Sequence, residues 1–452
     1  MSRTGGWTDS ARGIALEILD RVERTQAYAN LLLDARLAGG TLSPADRALA
    51  THLVYGVLRW RGRLDWILAQ ALDRPLTAVE PRVRDLLRLG VYQLTALDRI
   101  PAFAAVDETV SLARAAGAAR SAGFVNAVLR GVARRIPIPD PPPAEDPVGY
   151  WGSAGSHPAW LAARWITRLG PEEAGRLMAA NNQIPPLTLA LTPGRLEAAA
   201  LRRALERVAR EVTPGRLNPA VFAVLGGGAP AELPGYAEGH FIPMDEAGTL
   251  PVLALDLAPG LRVLDACAGG GGKSALIAAE LGADGLVSAV DASPRAIRRL
   301  ESAAARLRLP ALRTEVGDAR TLGARYPGAF PRVLLDAPCT GLGTLRRRPE
   351  IKWRRGLADI ARAALLQGEL LRGVAGAVAP GGLLVYSTCS LEPEETEAVI
   401  AGFLADHPQF RPAGPPAAGL RALAEPGTGF LRSWPQRTGT DGFFIARLTR
   451  TC

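Results

Sequence analysis

Lysine is almost missing from this sequence: among 452 residues there are two, Lys273 and Lys352, beside 51 arginines. Positive charge is therefore carried nearly everywhere by guanidinium groups, and both exceptions fall inside motifs described below. Cysteine is almost as sparse. The four present, Cys267, Cys339, Cys389 and Cys452, form no C-x-x-C pair, which speaks against a disulfide framework and a zinc site, so no metal is expected. Long hydrophobic runs are missing too. No stretch approaches the roughly 18 apolar residues of a membrane span, and no membrane partner is expected. The opening MSRTGGWTDSARG has neither the apolar core nor the cleavage pattern of a signal peptide, so a cytoplasmic protein with free thiols is the expectation.

What is present is a net charge of +9, which favours a polyanionic partner such as nucleic acid. The Ala/Gly/Pro/Arg-rich composition is equally what a GC-rich genome produces. Length alone suggests about three domains. Residues 1–136 read as all-helical: Ile14, Ile18, Leu19 and Val22, then Leu49, Leu53, Val57 and Leu58, then Leu86, Leu87, Val91 and Leu94 recur at helical spacing. Prolines 44, 75, 81 and 101 fall between these runs, where helix starts and turns tolerate them. This part holds 19 arginines against 13 acidic residues, so it carries most of the excess charge, on a solvated surface or a binding face. Ile136 to Pro147 has six prolines in twelve residues and predicts a stiff linker over 137–155. A small α+β unit is expected over 156–240, with helices at 158–169, 172–181 and 195–208 and strands at 187–191 and 220–224. Residues 241–452 read as a Rossmann-like α/β domain.

Two stretches organise that last domain. In VLLDAPCTGLGTLRRRPEIKW, residues 333–353, and in Tyr386-Ser387-Thr388-Cys389-Ser390, an apolar run of strand type ends in a small-residue loop with a cysteine. A parallel sheet would deliver Cys339 and Cys389 to one crevice at the carboxyl ends of its strands. Taken singly, each cysteine reads as a small buried residue. Upstream, Leu261–Asp265 reads as a strand, Gly269–Gly272 as a tight loop and Ser274–Leu281 as a helix, which lets backbone amides approach a ligand closely. Gly272-Lys273-Ser274 also resembles the end of a Walker A loop, with 332–336 as a Walker B strand, and so leaves a nucleotide hydrolase open as an alternative. Cys267, however, stands where the first Walker glycine belongs. Asp265, Asp291, Asp318 and Asp336 each close a predicted strand; singly each suits a cap or turn, and in series they suit a nucleoside pocket. S-adenosylmethionine fits, having a ribose and an adenine but no phosphates.

Gly123-Phe124-Val125-Asn126-Ala127-Val128-Leu129-Arg130 resembles the final-helix signature of the NusB family of RNA-binding modules. HPAWLAARW and EEAGRLMAANNQIPPLTLAL resemble the pre-catalytic region of the Sun/RsmB family of 16S rRNA cytosine-5 methyltransferases, although Ala190-Leu191-Thr192 stands where that family usually has Arg-Val-Asn. Asp265 to Ser274 resembles its cofactor loop, with Gly270 in place of a proline. Asp336 to Gly343 with Arg347, Arg348 and Pro349, and Ser387 to Ser390 with Glu392-Pro393-Glu394-Glu395, match two further motifs, and Met244 replaces a usual glutamine.

The resemblance covers nearly the whole chain. It implies that Cys267, Ala268, Gly269, Gly270, Gly271, Gly272, Lys273, Asp291, Asp318 and Asp336 bind S-adenosylmethionine, that Cys389 is the nucleophile and that Cys339 helps to release product. Cytosine carbon 5 is too electron-poor to take a methyl group until a thiolate adds to carbon 6. Lys352 or the arginines at 346–348 would lower the thiol's pKa if the fold brings them near, and Asp336, if buried and protonated, would donate to ring nitrogen 3. The target is then an unpaired or flipped cytosine in an RNA loop, and a monomer is expected. A transfer-RNA 5-methylcytosine methyltransferase and a non-enzymatic antitermination protein are the alternatives; the first usually lacks the helical module and the second has no use for two thiols. Phe430–Trp434 and Phe443–Leu448 predict a closing antiparallel hairpin. Trp353 suits either stacking on RNA or packing.

Overall fold

Helix starts in the first part are written by short side chains and prolines. In the computed structural model, which describes residues 6–25, 27–38, 42–143, 145–414 and 418–451, Ser10 caps α1 (Ala11–Arg24) by accepting from the Gly13 amide. Ser43 caps α3 (Pro44–Ala69) by accepting from Asp46, with Pro44 in the first turn, where its missing N–H costs nothing. With α2 (Ala29–Leu37), α4 (Pro81–Ala96), α5 (Ala102–Ala115) and α6 (Ala122–Ala133) these helices bury the apolar positions singled out by their spacing: Ile14, Leu53, Leu86, Leu87 and Val91 are within 1% of full burial. Close approach matters once here. A Cβ on Gly56 would lie 2.0 Å from the Tyr92 ring, so only glycine admits the α3–α4 contact. The arginines divide. Arg59 and Arg88 are buried, Arg88 donating to both oxygens of Asp65 at 2.7 and 2.9 Å and to Asp85 at 3.0 Å, so part of the basic excess is structural.

The chain separates into two compact units, residues 1–183 with 345–354, and 184–344 with 355–452. The small α+β unit expected over 156–240 is therefore divided. Helices α7 (Pro147–Gly152), α8 (Ala159–Leu169) and α9 (Pro171–Asn181) belong to the helical unit. The second unit opens with β1 (Leu187–Leu191), α10 (Ala198–Glu206), β2 (Glu211–Pro214), β3 (Val221–Leu225) and β4 (Phe241–Pro243), an antiparallel sheet in the order β2-β3-β1-β4. Phe241–Pro243, placed by sequence at the opening of the catalytic domain, is thus the edge strand of the small sheet, paired with Leu189–Leu191. Sequence reading missed β2 and drew α10 too long.

After α11 (Glu246–Leu253) come β5 (Arg262–Asp265), α12 (Gly272–Leu281), β6 (Leu286–Asp291), α13 (Pro294–Leu307), β7 (Leu312–Val316), α14 (Leu322–Arg325) and β8 (Phe330–Asp336). Past α15 (Ile351–Arg354), which lies in the helical unit, follow α16 (Leu357–Ala375), β9 (Val378–Thr388), α17 (Glu397–Asp406), β10 (Phe410–Pro412), β11 (Leu431–Ser433) and β12 (Phe443–Arg450). The large sheet runs β10-β12-β9-β8-β5-β6-β7, with β5 to β9 parallel, β12 antiparallel to β9, and β11 paired to the start of β12 as the expected hairpin. Val263, Leu264, Val333, Leu334 and Leu335 are fully buried, as strands covered by helices on both faces must be. The strand ends carry Asp265, Asp291, Asp336 and Thr388 to one edge. Among the described residues no helix is long and apolar enough to cross a membrane.

The stretch 345–354, which follows Cys339 by six residues, is built into the helical unit by its own polar groups. Lys352, fully buried, donates to the Arg59 carbonyl at 2.9 Å, the Ser156 carbonyl at 2.8 Å and Asn182 Oδ1 at 3.0 Å. The Trp353 indole N–H donates to the Leu58 carbonyl at 2.7 Å, so the tryptophan packs within this unit. Arg354 donates to the Ala27 carbonyl at 2.8 Å and the Glu350 carboxylate accepts from the Ala29 amide at 3.1 Å. Replacing Lys352 with Met withdraws the shared donor from all three oxygens; the Arg59 carbonyl keeps the Ser156 hydroxyl at 2.9 Å, while the Ser156 carbonyl and Asn182 Oδ1 lose the ammonium. The expected cost is roughly 3–5 kcal/mol, read as an earlier thermal transition of the helical unit; a wild-type melting profile would show that the ammonium holds nothing.

Candidate active site

The carboxyl ends of β5, β6, β8 and β9 converge on one cluster of polar side chains. Asp336, the last residue of β8, stands opposite Ser387 in β9. Its Oδ2 accepts from Lys273 Nζ at 2.6 Å and its Oδ1 from Ser387 Oγ at 2.7 Å. Both oxygens thus already accept hydrogen bonds, and the side chain is 25% exposed, whereas the donating Asp336 expected from sequence is conditional on its burial. Lys273 also lies 5.3 Å from the centre of the Phe443 ring. Burial pushes its pKa down, but Asp336, with Cys389 and Asp265 adding to it, outweighs that and holds the ammonium above the ordinary lysine value. Lys273 reaches Asp336 where a Walker lysine would reach phosphate.

Three residues past Asp336 and two past Ser387, the loops bring the thiols together: Cys339 Sγ and Cys389 Sγ are 2.9 Å apart and hydrogen-bonded. Neither is fully buried. The Cys339 thiol is pushed well up, first by this bond to Cys389, then by burial and by the charges of Glu395 and Asp336, so Cys339 is the thiol that keeps its proton. Near the pair, Cys389 is among the groups that hold the Lys273 ammonium up, and Arg355 donates to the carbonyl of Thr340, next to Cys339, at 3.2 Å. Lys352, expected from sequence to assist, and the arginines at 346–348 lie in the segment built into the helical unit.

The glycine loop has the shape of a ligand cradle. Gly269 has φ +55° and Gly271 φ +85°, conformations that favour glycine, and a Cβ on Gly271 would meet Leu300 at 2.2 Å. Around Gly269 and Gly270 there is open space within 4 Å of any added Cβ. Gly270 lies outside the positive-φ set, so the proline it replaces costs the loop stiffness and no contact. Met244 covers the start of α12, its Cε 2.4 Å from where a Gly272 Cβ would sit. Asp291 ties the loop down, accepting from the Gly269 amide and the Ser293 amide at 2.8 Å each, and each oxygen keeps a lone pair for a donor such as a ribose hydroxyl. These residues fit a nucleoside cofactor without phosphates. The Cys267 thiol is raised by burial and by the surrounding aspartates, Asp265 first, and is poorly suited to act as a nucleophile.

Two further positions named from the sequence have surroundings of their own. Asp318 lies two residues beyond β7, caps a short 3-10 turn and is bound by the Arg320 guanidinium at 2.7 to 3.1 Å, while its charge is still felt by Cys267 in the cofactor loop. Ala190 and Thr192, in place of the family's arginine and asparagine, are buried and make no surface for RNA. Cys452 lies outside the described residues. Conversely, sequence reading gave no individual role to Asp265, whose buried carboxylate accepts from Ser274 at 2.6 Å, or to the buried Glu395 behind both thiols. The only signal for Glu395 was its place in the Glu392–Glu395 motif. Among the described residues no group of three or more His, Cys, Asp and Glu is placed to hold a metal.

Comparison with known proteins agrees with this geometry. Residues 252–449 match the family model described as 16S rRNA methyltransferase RsmB/F, residues 9–134 that of the NusB family, and residues 157–226 the ferredoxin-like domain of RsmF/B-like methyltransferases. A Bacillus subtilis protein named "Probable ribosomal RNA small subunit methyltransferase B" is 37% identical over 98% of this chain and 99% of its own length. The ribosomal RNA small subunit methyltransferase B of Pseudomonas putida is 36% identical over 96% and 97%. Among solved structures, PH0851 matches with a TM-score of 0.83 at 24% identity over 97% of this chain and 98% of that one. NSun6 from Pyrococcus horikoshii, solved with SFG, matches with a TM-score of 0.58 at 20% identity over 65% and 98%; both share the fold.

Burial raises the Asp265 carboxyl to about 6, with the Ser274 bond pulling it back and Asp336 pushing it further up. Its folded pKa therefore exceeds the unfolded value of about 4, and between the two the folded protein holds a proton that the unfolded chain has lost. This contribution is complete below pH ~4 and falls away as pH rises to ~6, by roughly 3 kcal/mol. Asp265→Asn cannot ionise. Its melting temperature relative to wild type should climb across that window and level off above it; a difference that stays flat with pH would show that the carboxyl titrates normally.

Proposed function

The chain belongs to the RsmB/F family of 16S rRNA methyltransferases, and from that premise we propose that it methylates carbon 5 of an unpaired cytosine in 16S ribosomal RNA, using S-adenosylmethionine and a covalent bond from Cys389 to carbon 6. The observation that carries this reading is the pair of thiols in contact beside Lys273, Asp336 and Ser387. A merely structural cysteine pair has no need of an ion pair on its open side. The NusB-like helices serve as the RNA-binding part, and the protein acts as a monomer in the cytoplasm.

The steps follow from what each group can accept or donate. The Cys389 thiolate forms the sulfur–carbon 6 bond, the carbon 5–carbon 6 double bond opens, and its electron pair comes to carbon 5. Ring nitrogen 3 is an acceptor and the 4-amino group a donor. Lys273 donates to the first and Asp336 accepts from the second, so the negative charge developing in the ring is met by an ammonium already in place. When bound along residues 267–273 and Asp291, S-adenosylmethionine supplies an electrophilic methyl group. Carbon 5 then carries both a methyl group and a proton. With the Cys389 sulfur bonded to carbon 6, the hydrogen bond that most raises the Cys339 thiol is gone. Cys339 can then lose its proton to water and take the carbon 5 proton, the double bond re-forms, and Cys389 leaves as the thiolate.

Two measurements test this. Asp291→Ala should weaken S-adenosylmethionine binding by about 1–3 kcal/mol, the usual cost of leaving polar groups unpaired, while ATP binds negligibly to either protein; tight ATP binding in the calorimeter would support the hydrolase alternative instead. On a denaturing gel with labelled 16S RNA, Cys389→Ala should form no adduct and no methylcytosine. Cys339→Ala should attack, transfer and stall, and accumulate as a protein–RNA band. Adduct from Cys389→Ala but not from Cys339→Ala would reverse the two roles.

A further inference from the structure

Beyond the point where strands β8 and β9 stop pairing, something else must hold the two cysteine loops at a fixed spacing. The last backbone bond of this ladder runs from the Ala337 amide to the Ser387 carbonyl at 2.8 Å, two residues short of each thiol. Past it lies the Glu395 carboxylate, fully buried. Its Oε2 accepts from the Thr340 amide at 2.8 Å and from Gln367 Nε2 at 3.0 Å; its Oε1 accepts from the Ser390 hydroxyl at 2.6 Å and from the Thr340 hydroxyl. Thr340 directly follows Cys339, and Ser390 directly follows Cys389. Gln367 donates through the same nitrogen to the carbonyl of Pro338, which precedes Cys339. Glu395 is itself fixed at the backbone, where its carbonyl accepts from the Tyr386 hydroxyl at 2.8 Å.

We propose that Glu395 is a positioning residue that clasps both cysteine loops through one carboxylate and thereby sets the contact between Cys339 and Cys389; this deepens the reading of those two thiols as the reacting pair and rests on it. A buried carboxylate surrounded by neutral donors is an expensive way to hold two loops together, because desolvating the charge is only partly offset by the hydrogen bonds. Its particular merit is that an ionised carboxylate accepts from four donors at once and offers none. Both loops are therefore drawn to the same two oxygens, and neither can be satisfied without the other. The carboxylate's negative charge also adds to the influences that keep the proton on Cys339. One residue, together with the Gly343 amide that donates to the Cys389 carbonyl at 2.9 Å, thus bears on both the distance between the sulfurs and the side of the pair on which the proton rests.

The test uses the full-length protein and two readouts. Glu395→Gln keeps the shape but turns one acceptor into a donor facing the loops. On unmethylated 16S RNA made by transcription, its kcat should fall about 100-fold, the scale of an ångström-sized misplacement of a reacting group, while KM for S-adenosylmethionine stays at the wild-type value. In the absence of RNA and cofactor, alkylation by iodoacetamide, mapped to each cysteine by mass spectrometry, should begin at lower pH for Cys339 in the variant than in wild type. Thr340→Val, which removes one donor, should move both readouts in the same direction, and Thr340→Ser should restore them, so the test survives poor folding of Glu395→Gln. Wild-type kcat in Glu395→Gln, or a Cys339 alkylation profile unchanged in both Glu395→Gln and Thr340→Val, would overturn the clasp. A wild-type protein that methylates no cytosine would instead overturn the proposed function, and the alkylation comparison would still decide the role of Glu395.

Discussion

The parallel pairing of β8 with β9 is the constraint on which the rest of the site depends. By setting Asp336 opposite Ser387, it fixes where two loops leave the sheet, and each loop has only two or three residues in which to reach its cysteine. A slip of one residue would turn Asp336 and Ser387 to opposite faces, break the bond between them and part the thiols. The buried apolar run Val333 to Leu335 enforces the register from below, and the Asp336 carboxylate, shared by Ser387 and Lys273, locks it from above. Catalytic geometry and core packing are here two consequences of one alignment.

How far this was legible in the sequence can be read from particular residues. Strand ends are visible because an apolar run stops at an aspartate or at a small-residue loop, which is why the sequence alone places Asp265, Asp291, Asp336, Cys339 and Cys389 at one edge. Asp318 looked the same in sequence, yet Arg320 two residues on takes its carboxylate, a local competition that strand patterning does not register. Glu395 was invisible for the opposite reason. Its partners come from positions 340, 367 and 390, and no periodicity links them. The division of the pre-catalytic region was hidden too, since α8 and α9 are amphipathic whichever unit they pack with.

The path of the chain after Cys339 carries a functional implication. Residues 341–344 continue the catalytic loop, with the Gly343 amide donating to the Cys389 carbonyl at 2.9 Å, and the next ten residues are structural parts of the helical unit. A segment held by Lys352, Trp353 and Arg354 cannot be moved without breaking buried hydrogen bonds of the helical unit. Removing the first 147 residues would take away the Ala27, Ala29, Leu58 and Arg59 partners of this segment and leave only Ser156 and Asn182 on Lys352.

The scarcity of lysine acquires a physical sense from the two places where it persists. An arginine's guanidinium is a planar fork suited to two parallel bonds, whereas an ammonium is compact and directs three donors to the corners of a small pyramid. Lys352 satisfies three oxygens from three separate segments, at 2.8 to 3.0 Å, in a site with no exposed surface; a planar group would reach two and leave one orphaned. Lys273 must fit between the glycine loop that bears it, Asp336 and the Phe443 ring, and in the proposed reaction must keep one N–H on Asp336 while another turns to the base. A compact ammonium can do this in a confined space, where a larger planar guanidinium is committed to one plane. In a chain that otherwise uses arginine throughout, lysine survives at the two positions where three bonds from one nitrogen, or a narrow space beside a carboxylate and a ring, favour the compact cation.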